Sequence, residues 1–162
     1  MPPVLGLPFP ALPVVDPDGL RTDLEQVRTG RPAVLFFMRA HNCLVCLHHV
    51  RALAELRDVL AERDVAPVVI VPGEVADAVR VQRKAGGLRV VSSHGDAAHR
   101  AAGLERRLLM QHSGTFLVDS GGLLRYARTG ALPTASFDRG ELVAAVAKLP
   151  LRSDAESRAP QR

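Results

Sequence analysis

The chain has no tryptophan, one tyrosine and two cysteines among 162 residues. Two cysteines cannot build the dense disulfide framework of a small secreted scaffold. A chain of this length buries a core without such staples. No run of 18 or more apolar residues occurs, so no membrane-spanning helix and no membrane partner are expected. The opening segment, Met1-Pro2-Pro3-Val4-Leu5, has no basic stretch ahead of an apolar one, as a secretory signal has. The cytoplasm is therefore the expected compartment, and thiols there are normally kept reduced. Two cysteines in such a setting are expected to be chemical rather than structural. Aromatics make up 4% of the chain, and no Lys/Arg block occurs. A nucleic-acid surface needs clustered charge and stacking rings. The net charge of +4 is mostly arginine dispersed among 17 acidic residues, so no nucleic-acid partner is expected.

What is present is 47% apolar sequence organised as alternating strand and helix patterns. Residues 1–150 are expected to form one domain, and 151–162, poor in apolar residues, a disordered tail. Leu12 to Val15 reads as a short strand and Asp16-Pro17-Asp18-Gly19 as a tight turn. Thr22-Asp23-Leu24-Glu25 has capping-box spacing, predicting a short helix from Thr22 to near Gly30. Ala33 to Met38 is a continuous apolar run, the mark of a strand buried on both faces. Leu47, Val50, Leu53, Ala54 and Leu60 then recur at helical spacing, with Asn42 as the expected cap. Ala66 to Val71 predicts a strand, Glu74 to Ala85 a helix, Leu88 to Val91 a strand and Asp96 to Ala102 a helix. Gly114 to Asp119 and Leu123 to Arg128 read as an antiparallel hairpin across Ser120-Gly121-Gly122, followed by a helix over Arg139 to Leu149. This order predicts an α/β fold, a central mixed β-sheet flanked by helices.

Cys43-Leu44-Val45-Cys46 begins the first long helix, just beyond the carboxyl end of the buried strand. Ligands collect at such strand ends in open α/β sheets. A helix N-terminus favours an anion, and the thiolate is the reactive form of cysteine. Arg39 and His41 lie just upstream and add positive charge. Side chains three apart within a helix sit about 5–6 Å apart at Cβ, whereas a disulfide needs about 3.8 Å. Cys43 must therefore lie at or before the first turn, more exposed than Cys46. This makes Cys43 the expected attacking thiolate and Cys46 the resolving thiol. Two inert core cysteines are the bland alternative. A zinc site using His48, His49 or His112 lacks a second CxxC, and adjacent His48 and His49 cannot face one metal together. Haem attachment needs histidine after the second cysteine, where Leu47 stands. No metal and no cofactor are expected. His48, His49, His94, His99 and His112 are read as surface or structural residues.

From about Leu12 to Leu149 the chain resembles the peroxiredoxin-like branch of the alkyl hydroperoxide reductase/thiol-specific antioxidant (AhpC/TSA) group, in the thioredoxin-fold superfamily. The resemblance is carried by Asp16-Pro17-Asp18-Gly19 before Asp23-Leu24, by Ala33-Val34-Leu35-Phe36-Phe37 leading into Arg39-Ala40-His41-Asn42-Cys43-Leu44-Val45-Cys46, and by Gly114-Thr115-Phe116-Leu117-Val118-Asp119 with Gly122-Leu123-Leu124-Arg125-Tyr126. The chain also departs from that group. The peroxidatic pattern Pro-x-x-x-Thr-x-x-Cys fits neither cysteine: ending on Cys46 it places Arg39 and Cys43 in the Pro and Thr slots, and ending on Cys43 it places Phe36 and Ala40 there. The group's arginine falls near Ser113, a thioredoxin cis-proline has no counterpart, and Asn42 replaces the aromatic before a thioredoxin CxxC. By this correspondence Cys46 is the peroxidatic residue; by exposure it is Cys43.

The resemblance implies a thioredoxin-like fold and a thiol peroxidase. That enzyme reduces hydrogen peroxide or an organic hydroperoxide through a Cys43–Cys46 disulfide, which thioredoxin or a similar dithiol regenerates. A general thiol–disulfide oxidoreductase acting on a small disulfide substrate and a non-catalytic thioredoxin-fold binding module are the alternatives. Many proteins of the group are homodimers. Arg39 either orients a peroxide oxygen or is a solvated loop charge. His41 either holds a proton near the thiolate or caps the junction in solvent. Thr115 either hydrogen-bonds within the site or is a half-buried strand residue.

Overall fold

The computed structural model describes residues 2–151. The tail expected to be disordered falls, beyond Leu151, outside the described residues. Among the described residues, seven strands form one mixed sheet. Its centre is β3 (Ala33–Phe37), parallel to β4 (Ala66–Val71) and antiparallel to β8 (Ser113–Val118). On one side β4 continues to parallel β5 (Arg89–Ser92), then to antiparallel β1 (Pro13–Val15) and β2 (Arg21–Asp23). On the other, β8 pairs with the edge strand β9 (Leu124–Gly130).

Every residue of β3 is buried because helices cover both faces. Val34 and Phe36 point to the face packed by α2 (Leu44–Glu55), α3 (Arg57–Ala61), α4 (Val75–Gln82) and α6 (Arg139–Ala147). Ala33, Leu35 and Phe37 point to the face packed by α1 (Leu24–Arg28) and α5 (Ala97–Ala101). A strand covered on both faces needs no polar alternation, which is why the apolar run was readable. β9 alternates partly covered and exposed residues after a buried Leu124, as an edge strand with one wet face does.

Several sequence expectations are corrected. The first helix is capped by Asp23, whose carboxylate accepts the Gln26 N–H at 2.8 Å, and not by Thr22. Thr22 is held in β2 opposite Val14, so pairing to β1 overrides the capping-box pattern. Asn42 does not cap the long helix; the Cys43 sulfur does. The helical pattern through Leu60 is two helices, broken at Leu56. A two-stranded ribbon, β6 (Arg106–Arg107) and β7 (Met110–Gln111), precedes β8 and has no strand signal in its sequence.

Candidate functional site

The site is built where β3 ends. Met38 still donates its N–H to Ile70 on β4 at 3.0 Å, and the chain then turns through Arg39–Asn42 into α2. Cys43 is the N-cap, with extended backbone (φ −71°, ψ 112°), and its Sγ accepts the Cys46 N–H at 3.3 Å. A cap normally uses a hydroxyl or carboxylate oxygen. Here sulfur takes that place, so a helix-end amide points at the reactive atom. Cys43 is 5% exposed and Cys46 fully buried, and both are free thiols.

The two sulfurs are pushed in opposite directions. Burial raises the Cys43 pKa, but the hydrogen bonds from the Cys46 thiol and amide, with the hydrogen bond and charge of Arg39, outweigh it. The result lies below the ordinary thiol value of 9.0. At Cys46 burial dominates. Donation to Cys43 and repulsion by its charge add to it, and the amides of Arg39 and Ala40 offset only part, so the thiol is pushed up to about 12. A proton therefore leaves Cys43 first and stays on Cys46.

Cys46 Sγ also accepts the Arg39 N–H at 3.4 Å. The carbonyl of that same peptide, Met38 O, accepts from His99 Nε2 at 2.8 Å. A carbonyl can only accept, so Nε2 carries the ring proton. Burial lowers the His99 pKa to about 4 against the opposing effects of the Met38 bond and Asp96, and the ring is neutral. Its Nδ1, 3.0 Å from Ser93 Oγ, then accepts the hydroxyl proton. One peptide group thus links a buried histidine on the α5 face to a buried sulfur on the α2 face.

Of the sequence-derived candidates, the fold brings Cys43, Cys46 and Arg39 together. Arg39 is half-buried: Nη1 rests on Met110 Sδ at 3.5 Å, and Nε is buried without a hydrogen-bond partner. His41 turns instead to Asp77, with Nε2 3.5 Å from its carboxylate. Thr115 is fully rather than half buried, and its hydroxyl donates to Ser136 O at 2.7 Å. Neither His41 nor Thr115 hydrogen-bonds to a sulfur. His49 is buried too, beside Phe137, with Nε2 3.0 Å from Pro133 O. Among the described residues, no group of three or more His, Cys, Asp or Glu is placed to hold a metal ion.

A cavity of about 390 Å³ opens beside the cysteine loop, between Arg39–His41, Pro72–Gly73, Gly95–Asp96 and the β6–β7 ribbon. Gly73 must be glycine there. Its φ is +100°, and a Cβ would stand 2.5 Å from Asp77 Oδ2. The roles of His99, Ser93 and the ribbon are not visible in the sequence, since only the crossing of β3, β5 and β8 brings them to this loop.

The sequence profile of the AhpC/TSA family matches residues 5–127. The chain belongs to the AhpC/TSA family. As a member it is an oxidoreductase, at this level a thiol peroxidase or a thiol–disulfide oxidoreductase. None of the curated proteins matches it. Among solved structures, this AhpC/TSA protein is similar to the peroxidoxin BcpB of Mycobacterium tuberculosis, with 17% identity, a TM-score of 0.78, and coverage of 91% of this chain and 99% of that one. It is also similar to the bacterioferritin comigratory protein of Xanthomonas campestris, described for its alkyl peroxide reduction activity (17% identity, TM-score 0.71, 84% and 90% covered). A secreted M. tuberculosis disulfide oxidoreductase homologous to E. coli DsbE shares the fold less closely (18%, TM-score 0.61, 85% and 96%). These likenesses establish the mixed sheet flanked by helices as the thioredoxin-like peroxiredoxin fold. Among the described residues, no helix is long and apolar enough to cross a membrane.

Proposed function

We propose that this chain is a two-cysteine thiol peroxidase in which Cys43 is the peroxidatic residue and Cys46 the resolving one. The observation that carries the assignment is the hydrogen bond that Cys43 Sγ accepts from the Cys46 amide at the N-terminus of α2, at 3.3 Å, while Cys46 lies fully buried in the core. The Cys43 thiolate attacks the terminal oxygen of a hydroperoxide. An S–O bond forms, the O–O bond breaks, and the alcohol or water leaves with a proton, giving Cys43 sulfenic acid. Cys46 then attacks that sulfur, water is lost, and a Cys43–Cys46 disulfide remains. An external dithiol of the thioredoxin type reduces it by exchange, taking up the oxidising equivalents as its own disulfide. Arg39, beside Cys43 and with unused donors, orients the peroxide oxygens. His41 and Thr115 have no part in this chemistry, since their hydrogen bonds and charges are spent elsewhere.

General thiol–disulfide exchange is the second reading, favoured by the CxxC spacing and by a low-pKa thiolate at a helix N-terminus. The two are separated by offering the reduced protein hydrogen peroxide or cumene hydroperoxide, and separately an insulin-type disulfide. The peroxidase reading expects rapid thiol loss with peroxide, sulfenic acid accumulating in Cys46→Ser, and no peroxide-driven oxidation in Cys43→Ser. Sulfenic acid in Cys43→Ser reverses the assignment. Activity on the disulfide alone selects the second reading, and silence in both assays leaves a non-catalytic binding module.

A further inference from the structure

The peroxidase chemistry uses Cys43, Cys46 and Arg39 and leaves a fully buried histidine without a part. His99 lies on α5, its ring edge-on to Phe37 with centroids 5.0 Å apart. Packing alone would require only that both ring nitrogens find partners. The partner found by Nε2 is specific, because Met38 O belongs to the same peptide group as the Arg39 N–H that Cys46 Sγ accepts. A trans peptide points its carbonyl and its N–H in opposite directions. An imidazole on one face of the sheet therefore acts on a sulfur on the other. A peptide whose carbonyl accepts a hydrogen bond is polarised, and its N–H becomes the stronger donor. Ser93 fixes the direction of this chain. Its buried Oγ accepts the Ala98 amide at 2.9 Å and the His99 amide at 3.2 Å, which fills both lone pairs. Its hydroxyl proton is left for Nδ1, at 3.0 Å, so the ring proton stands on Nε2 and faces Met38. Cys46 is where such help matters, since burial opposes its ionisation and the resolving step requires it to lose a proton.

We propose that His99 is a positioning residue for the resolving step, acting through the Met38–Arg39 peptide to strengthen the hydrogen bond that Cys46 sulfur receives as it becomes a thiolate. This role rests on Cys46 being the resolving thiol. In that step Cys46 gives up its proton and its sulfur attacks the Cys43 sulfenic sulfur. The S–S bond forms, the S–O bond breaks, and the leaving hydroxide takes the proton and departs as water. His99 exchanges neither proton nor electron. It stays neutral and holds the donor amide aimed at Cys46.

The test isolates the resolving step from peroxide. Dithiobis(nitrobenzoate) converts Cys43 to a mixed disulfide and releases a first thionitrobenzoate, and attack by Cys46 then releases the second. Absorbance follows the two releases as separate phases. His99→Asn keeps an amide beside Ser93 but is too short to reach Met38 O, whereas His99→Gln returns an N–H donor close to the place of Nε2. In His99→Asn the second phase is expected to slow about three-fold with the first unchanged, and in His99→Gln to return towards the wild-type rate. A second phase unchanged in His99→Asn overturns the proposal, as do equal slowing of both phases, equal slowing in His99→Gln, or a wild type with no second phase. The wild type supplies a check that needs no variant: nitrogen-15 NMR of the ring is expected to show Nε2 protonated, and a proton on Nδ1 overturns the proposal. Rapid quenching after hydrogen peroxide then follows the Cys43 sulfenic acid, whose lifetime is expected to lengthen in His99→Asn; an unchanged lifetime counts against His99. Absence of oxidation by any peroxide overturns the peroxidase reading instead, and the two thionitrobenzoate phases still decide the role of His99.

Discussion

A sulfur at a helix cap is a different acid from the same sulfur one turn later. Cys43 accepts an amide N–H at the mouth of α2, while Cys46, three residues on, lies in the core with Val50 and Phe36. Replacing Arg39 with alanine removes a hydrogen bond and a positive charge from Cys43, so its pKa is expected to rise. Thiolate absorbance against pH reads this as a titration displaced upward, together with slower alkylation at neutral pH. Cys46 yields a prediction of opposite sign. Its pKa is raised on folding, so above about pH 9 the unfolded thiol ionises while the folded one keeps its proton up to about 12. Stability is therefore expected to fall as pH rises through that window, and Cys46→Ala to flatten the fall, as read by urea unfolding at several pH values. Thr115→Val leaves the buried Ser136 carbonyl without its partner. A loss of about 1–3 kcal/mol is expected, with the Cys43 titration unmoved.

At the scale of elements, α5 supports the active loop from across the sheet. Ser93 Oγ accepts the Ala98 and His99 amides, and the His99 ring reaches the Met38 carbonyl. His99 has its pKa lowered to about 4 from 6.5. The unfolded imidazole takes a proton as pH drops below 6.5 while the folded one resists until about 4. Stability is thus complete above 6.5 and lost towards 4, by about 3 kcal/mol from this group. His99→Leu is expected to remove that acid sensitivity and to cost about 1–3 kcal/mol at neutral pH by orphaning the Met38 carbonyl. Calorimetry between pH 4 and 8 checks both. The cap of α2 illustrates how an element differs from its sequence pattern. Asn42 is a good capping residue type, but the turn that lets Cys43 N–H reach Ala40 O at 3.2 Å leaves Asn42 exposed and puts sulfur at the helix end.

At the scale of the whole molecule, distant segments are tied by buried polar groups. Arg28, 4% exposed, holds Glu25 on its own helix and the carbonyls of Arg31, Asp119 and Ser120, joining α1 to the β8–β9 turn. The dispersed arginines of the sequence read as surface charge, and among the described residues Arg28 is a buried exception that tertiary structure makes. Arg28→Ala is expected to cost about 2–3 kcal/mol by leaving several carbonyls and a carboxylate unpaired, seen as a lower urea midpoint with an unchanged slope.

The alternation of apolar runs and helical spacings determined the α/β order, the buried central strand and the CxxC pair at its end, because these depend on neighbours along the chain. Local pattern also limited the site to a few residues, Arg39 and Cys43 among them. Tertiary structure alone set the different surroundings of the two sulfurs, since burial and an amide pointed at sulfur are properties of packing. It alone turned His41 to Asp77 and Thr115 to Ser136, and it brought His99 and the β6–β7 ribbon to the loop. Those contacts join segments tens of residues apart, and hydrogen bonds and charge interactions depend on distance in space rather than on position in the chain.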